Sequence, residues 1–192
     1  MDRTRLACMG LCMALLAGAA PARADFIGQA FTPTYEFPVA GAAYGPSSWS
    51  PASFTVGAGV ETTGLIEGVT SIATDFSAAR LVLVLSTDLV SPTWSSVPFN
   101  GPVFTSGSNL GITGAVVDAL ATTLAGFDDS RVSFTGNEVR INWNGLSYIT
   151  GSQVAVDFTF SQNPVSVPEP STLALFGLGL LGLGAARARA MR

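Results

Sequence analysis

The chain of 192 residues holds no histidine and no lysine, and both cysteines, Cys8 and Cys12, fall within its first 24 residues. Residues 25–167 therefore lack the parts of Ser-His-Asp and Cys-His nucleophiles, Ser-Lys dyads, Schiff bases and His/Cys zinc or haem sites. What remains is eleven carboxylates, the arginines Arg80, Arg131 and Arg140, hydroxyls and amides. A pair of carboxylates hydrolyses glycosides when held about 5–9 Å apart. Eleven acids scattered over one domain make accidental pairs common, and sequence does not give their separation, so no catalytic residue is assigned and no enzyme is expected. A carboxylate-based glycosidase is the least favoured reading.

Two other groups of residues have the right chemistry for a ligand. Asp128-Asp129 follows Gly126-Phe127 and precedes an apolar stretch. With Asn137 or Glu138, its oxygens would suit calcium, which takes carboxylate and carbonyl ligands. The competing reading is a solvated turn in which Asp bonds its own backbone. The metal, if any, stays unassigned, and no other cofactor is expected. Trp49 and Trp94 stand in Ser/Pro-rich segments and are the candidates for stacking on sugar rings. Tyr35, Tyr44 and Tyr148 would join them only if exposed. Trp143 alternates in phase with Ile141 and Val139 and is expected in the core.

The elements that must position these residues read as short strands. Residues 26–37 predict an opening strand, with Pro33 placing it at an edge or bulge. Residues 38–51 predict a long loop. Short strands follow at 53–56, 60–67 and 70–76. Arg80–Leu85 is a continuous apolar run and predicts a buried central strand. Residues 86–102 are rich in turn formers, and Val103–Thr105 is given only a brief pairing. Residues 112–124 fit helix and strand almost equally, with strand preferred. Gly136-Asn137 predicts a two-residue hairpin between 132–134 and 139–143. Asn144-Gly145 and Gly151-Ser152 mark later turns. In Val154–Phe160 the residues Val154, Val156, Phe158 and Phe160 share one face. The class predicted is all-β, an antiparallel β-sandwich at 25–161.

Both flanks read as targeting segments. Residues 1–24 have Arg3 and Arg5, then the apolar run Leu6–Ala20, then Ala22-Arg23-Ala24. This is the pattern of a signal peptide cut by signal peptidase after Ala24, with Ala22 and Ala24 as the small residues read. Residues 162–170 form a linker ending in Val167-Pro168-Glu169-Pro170. Residues 171–192 carry the apolar run Leu173–Ala186 and then Arg187, Arg189 and Arg192. Sixteen residues from Ser171 make roughly 24 Å of helix, short for a hydrocarbon core of about 30 Å. A C-terminal transmembrane helix of this length spans with local thinning. The arginines favour a cytoplasmic end. Gly177, Gly179 and Gly182 read as G-x-G-x-x-G, but the acid that a dinucleotide site needs about 20 positions on is absent.

The order Pro-Glu-Pro, apolar run, basic end resembles the PEP-CTERM sorting domain of Gram-negative bacteria. The resemblance covers about 25 residues. It implies an exosortase, a transpeptidase-like membrane enzyme, as partner, and links the chain to export and exopolysaccharide. The expected course is export, transient anchoring in the inner membrane, then release or transfer to the cell surface or extracellular space. Between the flanks, eleven acids against three arginines give a net charge of −8, which repels nucleic acid and anionic lipid. A structural or adhesive surface protein is the first reading, and a carbohydrate- or calcium-binding module is the second.

Overall fold

The structure, a computed structural model, describes residues 25–161. The signal peptide, the linker, the Pro-Glu-Pro motif and the transmembrane helix predicted above lie outside these residues. Eleven strands run in chain order as β1 (Ala30–Glu36), β2 (Ser47–Ser50), β3 (Phe54–Thr55), β4 (Thr62–Ile66), β5 (Thr70–Phe76), β6 (Arg80–Thr87), β7 (Gly101–Ser106), β8 (Ile112–Val117), β9 (Val132–Phe134), β10 (Glu138–Ile141) and β11 (Gln153–Phe160). A 3-10 turn, Asp129–Arg131, precedes β9. The strands form two sheets, β3-β1-β7-β10-β9 and β2-β4-β5-β6-β11-β8, with every pairing antiparallel. This is the predicted all-β sandwich.

Period-two alternation decides which side chains enter the core. Leu81, Leu83 and Leu85 of β6 are buried while Val82 and Val84 are only partly covered. Ile72 and Phe76 of β5, and Val154, Val156 and Phe158 of β11, face the same interior. Each such side chain contributes about 1.5–3 kcal/mol on burial. β6 is central, as its sequence predicts, between β5 and β11.

Pro33 illustrates how the edge rule works. Tyr35 turns its carbonyl away from β7 and accepts from Tyr44 N–H at 2.8 Å. Pro33, two residues earlier, shares that side. β3 pairs there only with Ala30 and Phe31, so the missing proline donor meets no partner strand.

Three sequence expectations need correction. Residues 38–51 are not all loop, because Ser47–Ser50 is the edge strand β2, paired with β4 from Ser47↔Ile66 to Ser50↔Thr63. Gly101–Ser106 is not a brief pairing but an inner strand, bonded to β1 on one side and β10 on the other. The ambiguous stretch 112–124 divides. Its first half is β8. It then stops because the Asp118 carboxylate accepts the Leu120 and Ala121 amides at 2.9 and 3.2 Å, which turns the chain. The hairpin at Gly136-Asn137 forms as predicted, with Thr135 N–H donating to the Glu138 carbonyl at 3.0 Å.

The aromatic core is graded along the strands. At one end Phe26 packs on Phe76 and Phe158, each at 5.1 Å, and Phe31 stacks on Phe76 at 4.8 Å. At the other end the rings carry polar atoms: Tyr35, Tyr44, Trp94, Trp143 and Tyr148.

Candidate functional site

The polar aromatic end is built by segments that leave β1, β4, β6 and β10 and those that enter β5, β7 and β11. Trp94 lies between β6 and β7. Its loop is held as a short ribbon against residues 145–148. Trp94 N–H donates to the Leu146 carbonyl at 2.9 Å, Gly145 N–H donates to the Trp94 carbonyl at 3.0 Å, and Thr93 bridges Ser147. The ribbon presses the indole between two rings. Trp143 stacks on it at 5.3 Å and 17°, and Tyr148 at 4.5 Å and 11°.

A hydrogen-bonded chain lies beneath this stack. Trp143 Nε1–H donates to the Tyr35 hydroxyl at 2.8 Å, and Tyr35 donates to Asn100 Oδ1 at 2.6 Å. Burial pushes the Tyr35 hydroxyl well above the ordinary phenol range, against the lowering effect of the Trp143 bond. The Tyr148 and Thr70 hydroxyls bond at 2.8 Å. Burial raises Tyr148 as well. Nearer the surface, the Tyr44 hydroxyl donates to the Glu67 carboxylate, and this bond raises Tyr44. All of these residues except Trp143 border a cavity of about 130 Å³.

Glu67 reaches that cavity through an unusual backbone. It opens the three-residue connection from β4 to β5, in which Ile66 pairs with Thr70 and Val69 N–H donates to the Ile66 carbonyl at 3.1 Å. Glu67 has φ 53° and Gly68 φ 72°. Such a mirror-image turn suits Asn or Gly at its first position, and a glutamate there sits in the left-handed region at a cost of about 1 kcal/mol.

The tryptophans correct the sequence reading. Trp94 is only 7% exposed and both its faces are covered, so it offers no ring face to a sugar. Trp49 is not in a loop. It is a β2 residue, half-buried, directly opposite Gly64 of β4 and edge-on to Phe104 at 5.8 Å. A Cβ on Gly64 would stand 2.8 Å from the Trp49 ring, so the indole folds over its own sheet. Trp143 is fully buried, as predicted.

The acids that the sequence offered as ligands are engaged within the protein. Asp128 caps the 3-10 turn, accepting from Ser130 N–H at 2.9 Å and from its hydroxyl at 2.5 Å. The Ser130 bonds hold its carboxyl below the usual range. Asp129 accepts from Val117 N–H at 2.6 Å. Asn137 and Glu138 are engaged elsewhere, with Ser106 and Arg140. Among the described residues no three acidic side chains converge as metal ligands. Glu36 and Glu138 meet on Arg140 at 2.8 and 2.9 Å. Asp118 and Asp157 meet on Arg80, and the Arg80 bond lowers Asp118, the opposite of what a general acid requires.

Sequence reasoning missed Glu67, Asn100 and the role of Tyr44. Gly68 between two alternating stretches was the available signal of a turn, whereas Glu67 is not among the residues that favour its first position. Nothing in the pattern marks Asn100.

The sorting residues Val167, Pro168, Glu169 and Pro170, the arginines Arg187, Arg189 and Arg192, and the cleavage residues Ala22 and Ala24 lie outside the described residues. No curated protein and no solved structure matches the chain. Residues 166–190 match the PEP-CTERM protein-sorting motif. The chain thus carries a PEP-CTERM sorting signal, and it is an exported protein that an exosortase handles at the membrane.

Proposed function

We propose that the β-sandwich is a structural or adhesive component of the cell surface or extracellular matrix, working in exopolysaccharide and not as an enzyme. The observation that carries this reading is the polarity of the sandwich. Phe26 N–H donates to the Ala78 carbonyl at 3.0 Å, and Ser161 N–H donates to the Gly111 carbonyl at 2.7 Å. The described chain therefore enters and leaves at the phenylalanine end. β11 has eight residues, or about 26 Å, and separates that exit from the cavity end. Around that end Val90, Ile149 and Leu89 are 96%, 58% and 47% exposed.

The test is retention of the exported protein on exopolysaccharide from the producing strain. The expected result is retention that survives moderate salt, because a domain of net charge −8 gains nothing from charge attraction to an acidic polymer. Free passage through every polymer fraction would overturn the adhesive reading.

A further inference from the structure

Glu67 is an exposed carboxylate with no cation beside it among the described residues. The described arginines are engaged elsewhere. Arg80 meets Asp118 and Asp157, Arg140 meets Glu36 and Glu138, and Arg131 donates to the carbonyls of Gly126, Asn142 and Asn144. Glu67 nevertheless holds a left-handed backbone, φ 53°, and its carboxylate is fixed by the Tyr44 hydroxyl. Strain of this kind persists where the surroundings enforce it. Here it sets a negative charge on the border of the cavity of about 130 Å³. Burial is the larger cause of the raised Tyr35 and Tyr148 values, but the Glu67 charge adds to both, so its field reaches the phenols that line the same space.

The cavity is open to solvent, because Glu67, Leu89 and Thr93 border it and are exposed. Tyr35, Trp94 and Tyr148 border it with almost no surface of their own left. Phe37 and Tyr44 keep part of theirs, and with Leu89 and Pro92 they give it apolar walls. A cation near an aromatic ring is attracted to its negative face. A hard metal ion wants six or more oxygens, and no three acidic side chains converge among the described residues. The domain's net charge of −8 favours a positive occupant over a neutral or anionic one. Size narrows the class further. A cavity of roughly 150 Å³ takes benzene, and tetramethylammonium has one heavy atom fewer than benzene.

We propose that this cavity binds one small organic cation, a methylated ammonium group, with its charge facing the Glu67 carboxylate and its methyl groups against Phe37, Tyr44, Leu89 and Pro92. The site stands apart from the adhesive reading and needs no contact with exopolysaccharide.

Calorimetric titration of the exported protein with tetramethylammonium chloride tests this. Sodium chloride at equal ionic strength is the charge control, and tert-butanol is the neutral control of similar shape. Tetramethylammonium is expected to saturate a single site, and neither control is. Glu67→Gln, at an exposed turn, is expected to weaken binding about tenfold and to leave the melting temperature unchanged. Tyr44→Leu removes the ring and is expected to weaken it a few-fold, whereas Tyr44→Phe keeps the ring and is expected to bind as the parent does. The assignment is overturned if tetramethylammonium does not saturate, if tert-butanol binds equally well, or if Glu67→Gln binds as the parent does. Choline and phosphatidylcholine vesicles then distinguish a free solute from a displayed headgroup. Saturation by choline without vesicle pelleting marks a solute site, and pelleting that Glu67→Gln abolishes marks a headgroup site. Either keeps the cation in the cavity.

Discussion

Tyr35 shows what a single buried hydroxyl contributes. It is 2% exposed, accepts from Trp143 and donates to Asn100. Tyr35→Phe leaves a buried donor and a buried acceptor without partners and is expected to cost about 2–3 kcal/mol, measured by urea unfolding at neutral pH. The same residue sets a pH dependence. Burial raises its folded value above the ordinary 10.0. Below pH 10 both folded and unfolded chains keep the proton, and the stability is fully present. As pH rises past 10 only the unfolded chain ionises, so stability falls. Tyr35→Phe is expected to flatten that alkaline fall while lowering the neutral-pH value. An alkaline slope equal to that of the parent would mean that other groups set it. Trp143 was legible as core because it sits in phase with Ile141 and Val139. Tyr35 was not assigned to the core, because Pro33 and Glu36 blur the alternation around it.

At the scale of elements, partner geometry decides more than local composition. Gly101 opens β7 where it passes β10. A Cβ there would stand 1.9 Å from the Ile141 carbonyl oxygen, and backbone atoms of a paired strand have nowhere to move. Gly101→Ala is expected to destabilise by about 3 kcal/mol, whereas Gly107→Ala, with open space around its Cβ position, should change the urea midpoint little. Equal midpoints would show that β7 and β10 separate at low cost. This closeness explains part of what the sequence hid. Gly101-Pro102 reads as turn punctuation, yet it begins an inner strand because the glycine lets two backbones approach. β2 was missed for a related reason. Ser47–Ser50 has loop composition, and its pairing depends on Trp49 covering Gly64 fifteen residues later. β11 was legible to within one residue, starting at Gln153 and not at Val154, because its partners on both sides reinforce its own alternation. The Glu67-Gly68 turn lies between these cases, with its spacing visible and its carboxylate's destination invisible until Tyr44 is brought beside it.

For the whole molecule, charge separates the domain from its targeting segments. The stretch between them carries eleven acids and three arginines, and six of the nine arginines lie in the two flanks. A basic segment next to an apolar run orients a chain at a membrane, and an acidic domain without lysine does not compete for that role. Glu169 is the one acid beyond Asp157, and it lies between two prolines. Recognition of the motif by charge therefore has one residue on which to act. Glu169→Ala leaves residues 25–161 untouched, so a change in sorting cannot be ascribed to a change in the sandwich. Intact mass of the protein recovered outside the cell is expected to show a start after Ala24 and loss of everything beyond the Pro168–Pro170 region. The Glu169→Ala chain is expected to stay in the membrane fraction with its arginines intact. Equal release of both chains, cut at the same place, would mean that the enzyme reads the apolar run and the prolines without the carboxylate. A full-length C-terminus in the parent's membrane fraction, with none released, would make the segment a permanent anchor, and the sandwich would then act while held at the inner membrane.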